Sequence, residues 1–328
     1  MNKTFPTVPT EQPLRIAFFG TPDFAAICLQ KLHTSRNEIV AVITAPDKKS
    51  GRGQRMQHSP VKSAASQLNL PVLQPQNLKD PSFAAIFKEL DCDLAIVVAF
   101  RMLPKAIWSA PRFGSINLHA SLLPQLRGAA PIQWAIRHKL LETGVTTFSL
   151  QHAIDTGDIL LQESVAIEPT ETAGTLHDKL LQTGSTLIIE TIEKLTQGNL
   201  RPVAQADLLL SRPLLEAPKL NRENCLIKWS QSTDNVFHMI RSLNPYPKSW
   251  CTTPSGDLKV ISAQPTELDI KLQEAGTAII HRNRLFIACS DGWIELLKIV
   301  PNGKKPMEAR AWINGLQPSQ RQSLGIWN

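Results

Sequence analysis

No run in this sequence approaches the roughly 20 apolar residues that a bilayer-spanning helix requires, so no membrane association is expected. Cysteine is scarce: Cys28, Cys92, Cys225, Cys251 and Cys289 are odd in number, widely scattered and never in a CxxC pair. That pattern argues against a disulfide framework and against a zinc site, and it fits a reducing, cytoplasmic compartment. An HExxH motif is also missing, so no metal is expected. The turn FFGTPDFA after the first apolar run lacks the GxGxxG that lets backbone approach a pyrophosphate, which disfavours a nicotinamide-dependent dehydrogenase. The first thirteen residues hold three prolines and no long apolar run, so 1–13 reads as a mobile extension rather than a signal peptide.

What is present is a chain of 328 residues, 42% hydrophobic and 19% charged, long enough for a sizeable core and for two domains. Its formal net charge of +7 is compatible with a polyanionic partner without specifying one. From Leu14, the run LRIAFFG followed by TPDFAAICLQKLH reads as strand, tight turn and helix. The pattern repeats with EIVAVIT, then the helical SPVKSAASQLN, the strand-like PVLQP, the helical SFAAIFKELD, and DLAIVVAF, an apolar run suited to a strand covered on both faces. This alternation predicts an α/β fold: a doubly wound, mostly parallel sheet with helices on both sides. Ligands of such sheets lie beyond the carboxyl ends of the strands, where Gly20, Phe100 and Asn117 fall.

Most of the chemistry-bearing residues sit in GSINLHASLLPQLRGAAPIQWAI. Asn117 and His119 are two apart in a strand, so their side chains share a face near its end. An amide there can donate to a developing oxyanion, and an imidazole can move a proton near neutral pH. Asp155, in HAIDTGDIL, lies in a turn between two strand-like runs, where a carboxylate could orient the imidazole or bind a leaving amine. Taken singly, each also fits a structural role, since Asp-Thr-Gly is ordinary turn chemistry.

Together FFGTPDFA, SGRGQ, SPVK, INLHASLLPQLRGAAPIQWAI and IDTGDIL closely resemble the methionyl-tRNA formyltransferase family, over nearly the whole chain. The resemblance implies a formyltransferase-type sheet domain over 14–198, with Asn117, His119 and Asp155 as catalytic centre. The 36-residue spacing of the last two agrees with the family pattern. It implies 10-formyltetrahydrofolate as formyl donor, and a pocket for it formed by Phe100, Arg101, Met102 and Leu103 with Ser121, Leu122, Leu123 and Pro124. VVAFRMLP departs from the family's usual VVAYGLILP, placing Phe100 and Arg101 where tyrosine and glycine often occur. The acceptor implied is the methionyl amine on initiator tRNA, and the family expectation is a monomer.

The stretch APDKKSGRGQRMQHSPVK carries Lys48, Lys49, Arg52, Arg55 and Lys62 against Asp47 alone, and glycines flanking Arg52 predict a flexible loop. In the family resembled, a basic loop at this place contacts the acceptor stem, which implies that Lys48, Lys49, Arg52 and Arg55 bind tRNA. From Asn199 to about residue 219, proline-punctuated polar sequence reads as a linker. Beyond it IKWSQSTDNVFHMIRSLN predicts an amphipathic helix, and SWCTTP, LKVISAQP, GTAIIHR, RLFIACS and WIELLKIV predict short strands. Their spacing predicts a small β-barrel of oligonucleotide-binding type over 220–328. This segment has 13 Lys and Arg against 9 Asp and Glu, an excess that suits phosphate contacts. Glycinamide ribonucleotide transformylases and aminosugar formyltransferases share the catalytic pattern. The basic loop and extra domain count against the first, and the SGRG loop together with a barrel against the second.

Overall fold

Strand β1 (Arg15–Gly20) is an interior strand of a seven-stranded sheet because, after Arg15, its side chains are apolar on both faces and all are buried. The computed structural model describes residues 10–50, 55–208, 213–322 and 324–328. These form two compact units, one drawn from 1–128, 143–165 and 178–216, the other from 129–142, 166–177 and 217–328.

In the first unit, α1 (Asp23–His33), β2 (Glu38–Ile43), the short strands β3 (Lys48–Ser50) and β4 (Arg55–Gln57), and α2 (Pro60–Gln67) follow β1. Then come β5 (Val72–Leu73), α3 (Pro81–Glu89), β6 (Leu94–Val98), α4 (Lys105–Trp108) and β7 (Ser115–His119). The helix starts are written locally: Ser59 accepts from the Lys62 amide and Asp80 from the Ser82 amide, each followed by proline at the first helical position. The sheet order is β10-β9-β7-β6-β1-β2-β5, where β9 spans Glu142–Ser149 and β10 Ile159–Ala166. Strands β5, β2, β1, β6 and β7 pair in parallel, and β9 runs antiparallel to β7. Ala17 and Phe19 pack with Ala41, Ile43, Ala95 and Val97 against Phe83 and Phe87 of α3 and Ile107 of α4. Alternation sends Ile16 and Phe18, also fully buried, to the other face. Gly20 ends β1 because a Cβ there would collide with the Ala25 methyl and the Phe18 ring, a packing constraint rather than a phosphate site.

The basic stretch is more ordered at its ends than a flexible loop: β3 and β4 pair antiparallel, Lys48 opposite Gln57 and Ser50 opposite Arg55. Of the extension, 1–9 lie outside the described residues, and the Thr10 amide donates to the Thr196 carbonyl at 2.8 Å. The stretch read as a linker is fastened along the first unit. Val203 and Ile159 exchange backbone hydrogen bonds, the Leu126 amide donates to the Leu215 carbonyl at 2.7 Å, and the Gln125 amide group bonds Pro213 and Leu215. Backbone polar groups in an irregular segment need partners, and the strand ends supply them.

The second unit includes α5 (Pro131–Arg137), the start of α6 (Ala173–Thr196), and α7 (Thr233–Ser242), which begins with Ser232 accepting from the Asn235 amide. Two-residue strands β8 (Arg127–Gly128) and β11 (Glu216–Ala217) precede α5 and α7 in the chain. Strands β12 (Ser249–Thr253), β13 (Gly256–Thr266), β14 (Ala278–His281), β15 (Arg284–Ala288) and β16 (Trp293–Pro301) form an antiparallel sheet of order β12-β13-β16-β15-β14, with β17 (Met307–Glu308) on β16. All five strands read from the sequence are present. What closes the sheet is the C-terminal tail: Asn328 bonds Thr252 at one edge, while Gly325 accepts from Ala278 and Trp327 donates to Gly276 at the other. Covering both edges at once removes the unpaired strand backbone that an open sheet would expose. Trp327 enters the core at 1% exposure, beside Cys251, Leu258 and Ile313.

Candidate active site

Strands β6 and β7 are parallel neighbours, so their carboxyl ends bring 99–103 and 117–124 to one edge of the sheet. Asn117 and His119 both lie on β7, opposite Phe148 and Thr146 of β9. Asn117 is partly exposed, and among the described residues its amide makes no hydrogen bond. His119 is 6% exposed, with its ring edge-on to Phe148 at 6.5 Å.

The imidazole is held by a specific contact. Nε2 lies 2.9 Å from the carbonyl oxygen of Leu126, an atom that can only accept, so Nε2 carries the hydrogen. Leu126 itself has φ of +59°, a left-handed conformation that a leucine adopts only under constraint, here from the Leu215 carbonyl on its amide. The other nitrogen, Nδ1, faces the Asp155 carboxylate at 3.9 Å. That is an electrostatic approach, too long for a hydrogen bond. Asp155 is also left-handed, with φ of +53°, and its Oδ2 accepts from the Gly128 amide at 3.0 Å. The three predicted catalytic positions therefore occupy two arms: Asn117 and His119 on β7, and Asp155 on the turn between β9 and β10.

The segment after His119 is braced from inside. Thr146 Oγ1 donates to the Ser121 carbonyl at 2.6 Å and accepts from the Leu123 amide at 3.1 Å, and Gln162 donates to both the Leu123 carbonyl and Thr146. Ser121 is fully buried and donates to the Gln125 carbonyl, while Leu123 packs with Phe148 and Ile159. Of the predicted folate pocket, the Ser121, Leu123 and Leu103 side chains thus serve the core, and the Leu123 amide and the Ser121 and Leu123 carbonyls are already engaged by Thr146 and Gln162. Phe100 stacks at a tilt on Phe19, 5.6 Å between ring centres, and Met102 stands 69% exposed beside it. The unusual Arg101 is engaged: its guanidinium donates to the carbonyls of Gln76, at 3.0 Å, and Pro75.

Several residues here carry roles that local sequence does not announce. Gly157 reads as one motif letter among others, yet a Cβ at this position would overlap the Ser149 carbonyl, so only glycine lets the Asp155 turn lie against β9. Leu126, Thr146, Gln162 and Gln205 carry no local signal. Arg127 donates through Nε and Nη2 to Gln205 Oε1, at 3.0 and 2.6 Å.

Among the predicted tRNA-binding residues, Lys48 is exposed on β3. Arg52 lies outside the described residues, as do the side chains of Lys49 and Arg55. Lys62 instead pairs with Asp47 at the base of the hairpin, where Gln74 also donates to Asp47 at 2.8 Å. The Lys62 ammonium, then Gln74 and His58, hold the Asp47 carboxyl well below the ordinary carboxylate range. Burial pushes the Cys28, Cys251 and Cys289 thiols up to about 12 and Cys92 to about 11, so none is a nucleophile near neutral pH. Among the described residues no group of three or more His, Cys, Asp or Glu is arranged to hold a metal, and no helix is long and apolar enough to cross a membrane.

Known proteins share this architecture. Residues 14–192 match the formyl transferase family and 219–317 its C-terminal domain family. A methionyl-tRNA formyltransferase of Flavobacterium johnsoniae is 45% identical over 309 residues, 93% of this chain and 97% of that protein. One from Bacteroides thetaiotaomicron is 42% identical over 317 residues, 94% and 98% of the two chains. Among solved structures, an N-formyltransferase of Helicobacter canadensis superimposes with a TM-score of 0.62 at 19% identity, covering 86% of this chain and 98% of its own, and shows the fold alone. With both family segments matched and relatives aligned nearly end to end, the chain belongs to the methionyl-tRNA formyltransferase family.

Proposed function

We propose that this protein transfers the formyl group of 10-formyltetrahydrofolate to the amino group of methionine on initiator tRNA, acting as a monomer in the cytoplasm at the start of translation. The observation that carries the reading is an Asn117 amide with no partner among the described residues, on the same strand face as an imidazole whose Nδ1 is turned toward Asp155. This pairs an oxyanion donor with a proton carrier at a strand end. Catalysis would reside in 14–198, and 199–219 would lead to the barrel of 220–328, which contributes tRNA contacts with the Lys48, Lys49, Arg52 and Arg55 hairpin.

The neutral methionyl amine attacks the formyl carbon, forming a C–N bond and placing negative charge on the formyl oxygen. Asn117 donates its amide hydrogen to that oxygen, and His119 stabilises it from Nδ1 when protonated. Collapse breaks the bond from carbon to N10. One proton must travel from the attacking amine to N10, and Nδ1 of His119, oriented by the Leu126 carbonyl and the Asp155 carboxylate, is the group placed to relay it. The exposed Met102 and the partly exposed Phe100 offer an apolar rim for the flat ring of the donor. No metal enters the scheme.

The test is formyl transfer from 10-formyltetrahydrofolate to methionine charged on initiator tRNA, with elongator methionyl-tRNA and glycinamide ribonucleotide as parallel acceptors. Fast transfer to the initiator alone is expected. Transfer to the small amine with none to either tRNA would keep the chemistry and overturn the acceptor.

A further inference from the structure

Gln205 sits in the 3-10 turn Gln205–Asp207, within sequence that looks like plain connector, and is 5% exposed. Every hydrogen-bonding position of its amide is used. Oε1 accepts twice from Arg127, at 3.0 and 2.6 Å, and Nε2 donates twice, to the Asp155 carbonyl at 2.9 Å and the Gly157 carbonyl at 2.8 Å. Arginine can only donate and carbonyls can only accept, so the amide has one orientation.

The effect falls on Asp155. Its left-handed backbone is the less favoured conformation for a residue with a Cβ, and a surface turn free to relax would leave it. Gln205 grips the turn on both sides of Thr156, and Gly157 presses it against Ser149. The neighbour of Arg127, Gly128, donates to the Asp155 carboxylate directly. The dipeptide Arg127–Gly128 thus holds Asp155 twice, once through its backbone amide and once through Gln205. A buried amide with all four bonds made is rigid, and it is expensive to leave half-satisfied.

We infer that Gln205 is a positioning residue for formyl transfer, which holds the Asp155 carboxylate in register with His119 by clamping the backbone of its turn. This rests on the formyltransferase reading above. Gln205 touches neither substrate in that scheme, so its loss acts on rate through Asp155 and leaves binding of both substrates alone.

The experiment compares wild type, Gln205→Leu, Asp155→Ala and the double variant as full-length protein, in single-turnover formyl transfer to initiator methionyl-tRNA with thermal melting alongside. Leucine keeps the volume and removes all four bonds. A misplacement near 1 Å costs on the order of 100-fold in rate, so Gln205→Leu is expected to lower the rate about 10- to 100-fold, with KM for both substrates within about twofold. In the Asp155→Ala background the same change is expected to cost nothing further, because there is no carboxylate left to position. An undiminished rate in Gln205→Leu, a loss carried by KM, or an equal loss in the Asp155→Ala background would overturn the assignment, the last marking a merely structural role. If Gln205→Leu is not recovered folded, Gln205→Glu carries the same test. Its carboxylate still accepts from Arg127 but turns an oxygen toward the two carbonyls, so the same rate loss is expected and its absence overturns the proposal. A wild-type enzyme without formyl transfer would instead sink the functional reading itself.

Discussion

His119 donates from Nε2 to the Leu126 carbonyl 2.9 Å away, and this bond fixes which imidazole nitrogen carries the hydrogen. Nδ1, the remaining nitrogen, points toward Asp155 and shares a strand face with Asn117. The imidazole is therefore held by a backbone atom, as the proposed mechanism requires.

Asn117→Ala removes one oxyanion donor from a position where no other described residue uses that amide. Its kcat should fall by roughly 100- to 1,000-fold while KM for both substrates stays near wild type, because the bond is made only as charge develops. Steady-state kinetics checks this, and a near-normal kcat would remove Asn117 from the mechanism.

Gly157→Ala inserts a methyl where the Ser149 carbonyl already lies. The turn has to lift from β9, so a loss of about 1–3 kcal/mol in stability is expected together with a fall in kcat. Denaturant melts read the first and turnover the second. An alanine variant matching wild type in both would show that the turn tolerates the shift.

Trp327→Ala should open the barrel-like unit, since this ring is buried in its core and its backbone bridges to Gly276. A large-to-small change of this kind costs about 3–5 kcal/mol. The transition of the C-terminal unit, followed by Trp fluorescence and near-ultraviolet dichroism of the full chain, should move to lower denaturant, and an unmoved transition would contradict the tail's closing role.

Alanine at Lys48, Lys49, Arg52 and Arg55 should raise KM for tRNA, leave KM for the folate donor unchanged, and flatten the dependence of tRNA binding on salt. With fewer phosphates neutralised by the hairpin, fewer counterions are released when the tRNA binds. If KM for tRNA and the salt slope both stay at wild-type values, the hairpin does not touch tRNA.

Acid should loosen the base of that hairpin. Lys62 holds the Asp47 carboxyl below its unfolded value, so the stabilisation is fully present above the ordinary carboxylate range and is lost as pH falls from about 4 through the lower folded value. Asp47→Asn should therefore be less stable than wild type at neutral pH, with the gap closing in acid. A gap that is constant with pH would mean that ionisation of Asp47 contributes nothing.

Local pattern was enough for the two folds and for placing Asn117 and His119 on one strand face, while the catalytic role proposed for them and for Asp155 came from family resemblance. The strands RIAFFG and LAIVV are apolar on both faces, the caps Ser59 and Asp80 are followed by proline, and Asn117 and His119 share a face because strands alternate with period two. These are properties of neighbours in the chain. Tertiary structure decided the rest. The hydrogen-bonded nitrogen of His119 depends on a left-handed Leu126, itself pinned by Leu215. Gln205 reaches Arg127 from 78 residues away and Asp155 from 50, separations that no spacing rule covers. Arg101, conspicuous as a departure in sequence, is occupied by the carbonyls of Pro75 and Gln76, and the barrel closes only because the last residues return to both sheet edges. Periodicity reports which side of an element is buried. Which polar group satisfies which other is settled only when distant segments meet, since a buried donor accepts whatever partner the fold brings within reach.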